Sequence, residues 1–319
     1  MQIINKKIKE LNEGEIFQGF YLIKAIESKT DTNNKPFLDL IITDDTGEIN
    51  AKKWDYDSKA DSVYTANDIV KVQGRTKKWK EKLQVTIEKI RLTSDNDKLS
   101  VADFIRTAPK PEELMKTELK EYIDKIKNEQ IKKIIEDIIF EHGNRFFYYP
   151  AAMTNHHAFR GGLLYHTLTM LEAGEKMAEI YSFIDRDFLY AGIILHDFAK
   201  IFELDAGKYG IASGYTVAGE LLGHLIQGVS IIDKAATKVG ASEEIKVLLQ
   251  HILISHHNEP EYGSPKRPMI PEAELLHHLD NLDARMNEMQ AALSKVEEGE
   301  LTGRIWAMEN RKLYKKIEK

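Results

Sequence analysis

Apolar positions along the chain follow two periods, with the change falling near residue 110. Up to about residue 92 they come in short runs divided by turn-forming residues. Residues 16 to 28 (IFQGFYLIKAIES) and Phe37 to Thr43 read as strands, and Asp44-Asp45-Thr46-Gly47 predicts a hairpin returning through Glu48 to Trp54. Residues 55 to 66 are polar enough for a short helix or loop, and Ile69 to Trp79 and Leu83 to Leu92 flank Lys80-Glu81-Lys82 as two more strands. Such a series, with an insertion after the third strand, predicts a five-stranded, partly open barrel of the OB type. Residues 93 to 111 turn to Ser, Asp, Asn, Thr and Pro around a short apolar patch (Val101, Phe104, Ile105), the pattern of a linker with one helical turn. From Glu112 onward Leu119, Ile123, Ile126, Ile131, Ile134, Ile135, Ile138 and Ile139 fall mostly three or four apart, predicting helix with a stop at Gly143. Further helices are expected at 161 to 182, 186 to 202, 214 to 239, 243 to 257 and 271 to 297. The expected organisation is therefore multidomain: an all-β barrel over 1–92, a linker over 93–111 and an all-α bundle over 112–319.

Composition narrows the chemistry. With 319 residues and no cysteine, disulfides and thiolate metal sites are excluded, so any metal must be held by nitrogen and oxygen. That suits a reducing cytoplasm. The N-terminus lacks the apolar core of a signal peptide and no later run is long enough to span a bilayer, so a cytoplasmic protein without membrane contact is expected. The net charge of −6 hides an asymmetry: residues 1 to 92 carry 17 Lys/Arg against 15 Asp/Glu, leaving −8 for the remainder. Within residues 69 to 92 there are 8 basic residues against 2 acidic, whereas all 11 histidines lie at or beyond His142. The two halves divide the labour.

The chemistry concentrates in Leu189-Tyr190-Ala191-Gly192-Ile193-Ile194-Leu195-His196-Asp197-Phe198-Ala199-Lys200, where an apolar helix suddenly presents an imidazole, a carboxylate and an ammonium. Burying these is costly unless they are paired or bind a metal. In a regular helix His196 and Lys200 share a face, with Asp197 rotated about 100° from His196, so a shared ion is feasible. A His-Asp pair at a helix end is ordinarily a surface feature. Here, however, His166 (GGLLYHT), His224 (LLGHLI), His256-His257 (after ILIS) and Asp280 (LLHHLD) also stand among apolar or small residues. Together they offer imidazoles and carboxylates from separate helices, a donor set suited to divalent transition metals.

The order H…HD…H…HH…D, with the strings GGLLYHT and ILHDFAK, resembles the HD-domain superfamily of metal-dependent phosphohydrolases. With a strand domain in front, the chain resembles over essentially its full length the YhaM-type 3′-to-5′ exoribonucleases of Gram-positive bacteria, which join an OB-type nucleic-acid-binding domain to an HD domain. The resemblance implies one metal held by His166, His196, Asp197 and Asp280, and a second held by bridging Asp197 with His224, His256 and His257. His251 competes as a ligand for the second site and Asp283 competes with Asp280; His277 and His278 flank the site or face solvent. Two divalent ions, manganese first with cobalt, iron or zinc as alternatives, could then activate water for in-line attack on phosphorus. Asp197 and Lys200 are the expected catalytic residues, Lys200 as a point charge on a phosphate oxygen, with Arg160 and His157 at the substrate backbone.

In the strand domain Lys71, Arg75, Lys77, Lys78, Trp79, Lys80, Lys82, Lys89 and Arg91 have the character of a single-strand-binding surface, in which basic residues track phosphates while rings stack on bases. Trp79 is the better stacking candidate; Phe37 and Trp54 are further stacking candidates that read more readily as core. Lysines guarding an edge hairpin would give the same pattern. The expected partner is single-stranded RNA, or single-stranded DNA, processed from its 3′ end to nucleoside 5′-monophosphates, with a homo-oligomer as a further possibility. Two other readings are open: an HD phosphodiesterase acting on a small nucleotide or cyclic dinucleotide, and a non-catalytic strand-binding protein with a degenerate HD domain.

Overall fold

The computed structural model describes residues 5–80, 82–99, 103–153, 157–207 and 209–317, so Glu81 and Val101 lie outside the described residues. The chain divides between Thr107 and Ala108 into two compact units. In the first, β1 (Ile16–Thr30), β2 (Pro36–Asp44), β3 (Gly47–Lys53), β4 (Ile69–Trp79) and β5 (Lys82–Leu92) form a barrel in the order β1-β2-β3-β5-β4. The strands lie where the alternation places them. β3 pairs in parallel with β5, Asn50–Lys52 against Gln84–Thr86, which closes the gap a partly open barrel leaves. Leu38, Leu40 and Ile42 of β2 and Val70 and Val72 of β4 point inward with Phe17, Tyr21, Val85 and Ile87, as a period of two requires. Bulges at Ile23/Ala25 and Gln73/Gly74 bend the strands enough to close. At Gly74 a Cβ would stand 2.5 Å from the Thr86 carbonyl oxygen, so only glycine lets β4 and β5 approach there. The β2–β3 turn is fastened by buried Asp44, which accepts from Thr46 N (2.8 Å) and Ile8 N (2.7 Å). Of the expected linker, Phe104 and Ile105 are buried and the Asp45 amide donates to Asp103 O (3.3 Å), so this stretch is part of the first unit.

The second unit holds α1 (Glu112–Lys125), α2 (Glu129–Tyr148), α3 (Gly162–Ile180), α4 (Arg186–Leu195), α5 (Lys200–Glu203), a short β6–β7 hairpin (Leu204–Ala206, Ala212–Tyr215), α6 (Val217–Val239), α7 (Glu243–Ser255) and α8 (Pro271–Leu293). Helix starts are set by side chains that accept orphan backbone N–H groups: Asn128, Asp185, Thr216 and Ser242. Two sequence expectations are corrected. The single helix from Glu112 to Gly143 is two helices, because Asn128 caps a new start, and α2 runs through Gly143, which is packed beside Ile139 and Phe147. Nor does one helix cover 186 to 202. After Leu195 the backbone tightens into i→i−3 hydrogen bonds (Phe198 N to Leu195 O, Lys200 N to Asp197 O, Ile201 N to Phe198 O) before α5. In such a turn residues three apart eclipse, so Lys200 stands over Asp197 rather than His196. Ile134, Ile138, Leu163, Leu171, Ile193, Ile194, Leu249, Ile252 and Leu276 are among the residues of one continuous core that holds these helices together. Among the described residues no helix is long and apolar enough to cross a membrane.

Candidate metal centre and nucleic-acid face

Five helices bring their polar residues to one place in the core. α3 contributes His166, the tight turn after α4 contributes His196 and Asp197, α6 contributes His224, the end of α7 contributes His256 and His257, and α8 contributes Asp280 and Asp283. Each placement has a local cause. Gly161, in the left-handed region (φ 73°), starts α3, and Gly162 passes so close to His157 that a Cβ would stand 1.9 Å from its carbonyl oxygen. α6 is broken at Gly223 (φ 66°, ψ 170°), and the Glu203 carboxylate accepts from the freed His224 amide (3.1 Å). After α7 the left-handed Asn258 (φ 64°) turns the chain away.

Asp197 lies at the middle, with its two oxygens facing different partners. Oδ2 is 3.4 Å from His196 Nε2 and 3.9 Å from His166 Nε2, and His166 Nε2 is 3.3 Å from both His196 Nε2 and Asp280 Oδ1. Oδ1 is 3.4 Å from His224 Nε2 and 3.8 Å from His256 Nε2, while the His257 ring lies 5.3 Å from that of His224 and 4.1 Å from that of His256. Asp197 Oδ1, His224 Nε2 and His256 Nε2 are buried with no hydrogen-bond partner among the described residues. Three converging orphan acceptors would be expensive in a packed core without a cation. The separations suit one, since donors about 2.0–2.2 Å from a shared ion stand roughly 3–3.6 Å apart.

The opposite ring nitrogens strengthen the fit. His196 Nδ1 donates to Ile193 O (2.8 Å), His256 Nδ1 to Leu253 O (2.7 Å), His224 Nδ1 to Glu203 Oε2 (3.0 Å) and His166 Nδ1 to Asp283 Oδ2 (2.7 Å). A carbonyl oxygen only accepts, so Nδ1 carries the proton and Nε2 is turned inward as a donor atom for metal. Charge follows the same arrangement. Burial opposes ionisation of His166, but hydrogen bonds to Asp280 and Asp283 outweigh it and push its pKa up to about 10, so without metal His166 is cationic and a metal must displace its Nε2 proton. Burial likewise opposes the Asp197 charge, yet Lys200 and His196 hold the carboxyl well below its usual range. Burial lowers the pKa of His256 and His257 below that of an exposed imidazole, well below it for His256.

The remaining residues sort by what they touch. Lys200 Nζ donates to Asp197 Oδ2 (2.6 Å), at the edge of the cluster. Asp283 is not beside Asp280 in the inner group; its Oδ2 accepts from both His166 and His157 (2.7 Å each). His157, expected at the substrate backbone, is instead 2% exposed behind His166, held there by Asp283 and by its own positive φ of 53°. Arg160 is likewise turned aside, donating to Glu112 (3.2 Å) over the Tyr148 ring. His251 Nε2 accepts from Met269 N (2.9 Å), His277 Nδ1 donates to His256 O (2.7 Å) and His278 pairs with Glu274, so these three are structural or exposed. Glu203, which the sequence did not single out, holds the His224 ring, and Asp283, a competing ligand from sequence, holds the His166 ring. Asp283 lies one turn from Asp280, a spacing that marked it as polar without saying which atom it meets. Asp283→Ala is expected to weaken metal binding and activity about 10–100-fold, because it frees His166 to rotate and strands His157. Calorimetric titration with Mn²⁺ checks this.

On the barrel, Lys71, Arg75, Lys77 and Trp79 alternate with the inward residues of β4 and therefore face outward. β1 pairs with β4 only as far as Arg75, so the β4–β5 tip, with Lys78, Trp79 (61% exposed) and Lys80 (φ 47°), projects beyond it. The ladders to β1 and β3 stop at Arg75 and Gln84, so the tip beyond them keeps unpaired edges, where lysines also serve as edge guards. Two assignments change. Trp54 is 40% exposed, with its ring 4.7 Å from that of Phe37, and Phe37 is buried beneath it on the outer face rather than in the barrel interior. Lys52 Nζ lies over both rings (4.9 and 5.4 Å) and Lys77 Nζ over Trp54 (5.7 Å). Arg75 is 4.0 Å from Glu88, Lys78 is 3.6 Å from Glu13, and Lys71 stands over Phe20.

Barrel and histidine–aspartate bundle together define a chain that joins a strand-binding fold to a metal-dependent phosphohydrolase fold. The model of the OB-fold nucleic acid binding domain matches residues 22–93, and that of the HD domain matches residues 163–285. The chain is 45% identical over 312 residues to the 3′-5′ exoribonuclease YhaM of Geobacillus sp. (strain WCH70), spanning 98% of this chain and 95% of that protein, and it belongs to the YhaM family of 3′-5′ exoribonucleases. Among solved structures, the second OB-fold domain of replication protein A from Methanococcus maripaludis aligns with 28% of this chain and 93% of its own, at 22% identity and a TM-score of 0.23. The mitochondrial single-stranded DNA binding protein Rim1 of S. cerevisiae covers 26% of this chain and 97% of its own, at 13% identity and a TM-score of 0.22.

Proposed function

We propose that this protein shortens single-stranded RNA from its 3′ end in the cytoplasm, releasing nucleoside 5′-monophosphates with the help of two divalent ions, manganese foremost. The observation that carries the reading is the convergence of Asp197 Oδ1, His224 Nε2 and His256 Nε2, buried and without partners, on one point. His166, His196, Asp197 Oδ2 and Asp280 would hold one ion, and Asp197 Oδ1, His224, His256 and His257 the other, with Asp197 shared. Bound there, the ions supply a water acidic enough to ionise near neutral pH and neutralise charge on the phosphate. The chain's own residues do the rest. Asp283 and Glu203 fix the His166 and His224 rings, so the inner donors need little reorganisation on binding. Lys200, tethered to Asp197, is in reach of the cluster and can turn its ammonium to a phosphate oxygen.

On the barrel, Trp54 over Phe37 supports a base-stacking platform flanked by Lys52 and Lys77, with Lys71, Arg75, Lys78, Trp79 and Lys80 along the strand's path. DNA would fit the same stacking and phosphate contacts, since neither reads the 2′-hydroxyl. The test is a 5′-labelled oligoribonucleotide incubated with Mn²⁺, then with EDTA. A ladder shortening from the 3′ end, stopped by EDTA and restored by added metal, is expected; no chelator-sensitive shortening with Mn²⁺, Co²⁺, Fe²⁺ or Zn²⁺ would refute the reading. Trp54→Ala should raise the Kd for the labelled strand about tenfold, the loss of one stacked base, as read by anisotropy in EDTA.

A further inference from the structure

We infer that the C-terminal ribbon, residues 299 to 317, is a second single-strand contact belonging to the catalytic unit itself. The inference rests on the reading that the substrate is single-stranded RNA, and it concerns residues outside both matched domains. Residues 108 to 300 sum to −11, a poor surface for a polyanion, whereas residues 301 to 319 carry six Lys/Arg against two Asp/Glu. The basic stretch is built as a ribbon. Gly299 N donates to Lys315 O (2.8 Å), Thr302 N to Leu313 O (2.8 Å) and Ile305 N to Arg311 O (3.0 Å), and the tip turns through left-handed Glu309 and Asn310.

The ribbon's two faces differ. Thr302 is buried and Leu313 and Lys315 are half-buried, with Lys315 Nζ donating to Val296 O (2.8 Å), so this side faces the protein. The opposite side presents Leu301 and, on the returning strand, Lys312, Tyr314 and Lys316, all exposed. Trp306 crowns the tip at 80% exposure. An aromatic ring between two lysines, with a second ring at the tip, offers stacking faces and phosphate contacts in the alternation a single strand presents. A protein partner fits less well, because lysine is depleted from protein–protein interfaces.

The ribbon is also anchored near the chemistry. Glu309 at the tip accepts from Arg285 of α8 and pairs with Arg311 (2.9 Å). Arg285 is five residues beyond Asp280, about 7.5 Å along the helix axis and roughly 140° around it. A strand lying on Trp306 and Tyr314 is thereby held on the catalytic unit, with the ribbon fastened to the outer side of the helix that supplies Asp280.

The test uses the full chain in EDTA, with a 5′-labelled single-stranded oligoribonucleotide titrated by anisotropy at several salt concentrations. Trp306→Ala with Tyr314→Ala should raise Kd roughly tenfold or more, and Trp306→Phe should restore most of it. Lys312→Gln with Lys316→Gln should reduce the slope of log K against log salt by about 1.4, or 0.7 per lost phosphate contact. Circular dichroism establishes that each variant is folded. Unchanged affinity and slope in folded variants, while the parent chain binds and shortens RNA, would overturn the ribbon's role and leave the proposed function standing. A change in sedimenting mass on Trp306→Ala, with affinity per chain unaltered, would overturn it in favour of contact with a second copy. Failure of the parent chain to bind RNA would overturn both.

Discussion

Asp197→Asn is expected to lower RNA hydrolysis on the order of a thousandfold while leaving a folded protein. The two oxygens of Asp197 face two separate groups of imidazoles, so the substitution removes the one anionic ligand that both proposed ions share. A metal's stabilisation of transition-state charge is worth several kcal/mol, and each 1.36 kcal/mol is a factor of about ten. The side chain keeps its shape, and its amide oxygen can still accept from the Lys200 ammonium. Two measurements separate loss of function from misfolding. Mn²⁺ should raise the melting temperature of the parent protein by mass action and should not do so for the variant. Strand binding in EDTA should be nearly unchanged. A variant with more than a tenth of the parent activity would remove Asp197 from the role of shared ligand.

Gly162→Ala is expected to be the most damaging small substitution in the second unit. Its Cβ would stand 1.9 Å from the His157 carbonyl oxygen and 2.9 Å from the carbonyl carbon, and backbone cannot move aside as a flexible side chain does. The clash displaces the start of α3, and with it His166 four residues on, and loosens the His157–Asp283–His166 chain of hydrogen bonds. Overpacking of this kind costs about 3 kcal/mol, which for a unit of this size lowers the melting temperature by roughly 6–12 °C. Mn²⁺ affinity should fall as well. Gly214→Ala is the control, because nothing lies within 4 Å of its Cβ position, and it should melt with the parent.

Some of the site was legible in the chain itself. Imidazoles and carboxylates set into apolar helices cannot be left unpaired, so His166, His196, Asp197, His224 and His256 announce themselves by the cost of burying them, and half-buried Asp280 joins them. The structure brings these together with His257. The barrel strands were equally legible, because alternation with a period of two and the Asp44–Gly47 turn are local signals. The expectations that changed depended on neighbours distant in sequence. Trp54 and Phe37 read as core from their chemistry, but β2 turns Phe37 to the outside, where Trp54 covers it. His157 read as a substrate contact, yet the close passage of Gly162 buries it behind His166.

Sequence alone therefore determined which side chains must find a charged partner or an ion, and which segments form strands and helices, because both follow from local periodicity and desolvation. Tertiary structure decided which atom of each group faces inward. That choice is made by hydrogen bonds across the fold: Asp283 to His166, Glu203 to His224, and a tightened turn that sets Lys200 over Asp197. It also decided that a basic ribbon at the end of the chain is fastened to the helix carrying Asp280, through the pairing of Arg285 with Glu309. Apart from the local turn at Lys200, these pairings join residues more than twenty positions apart, and no local pattern encodes a distance that only folding creates.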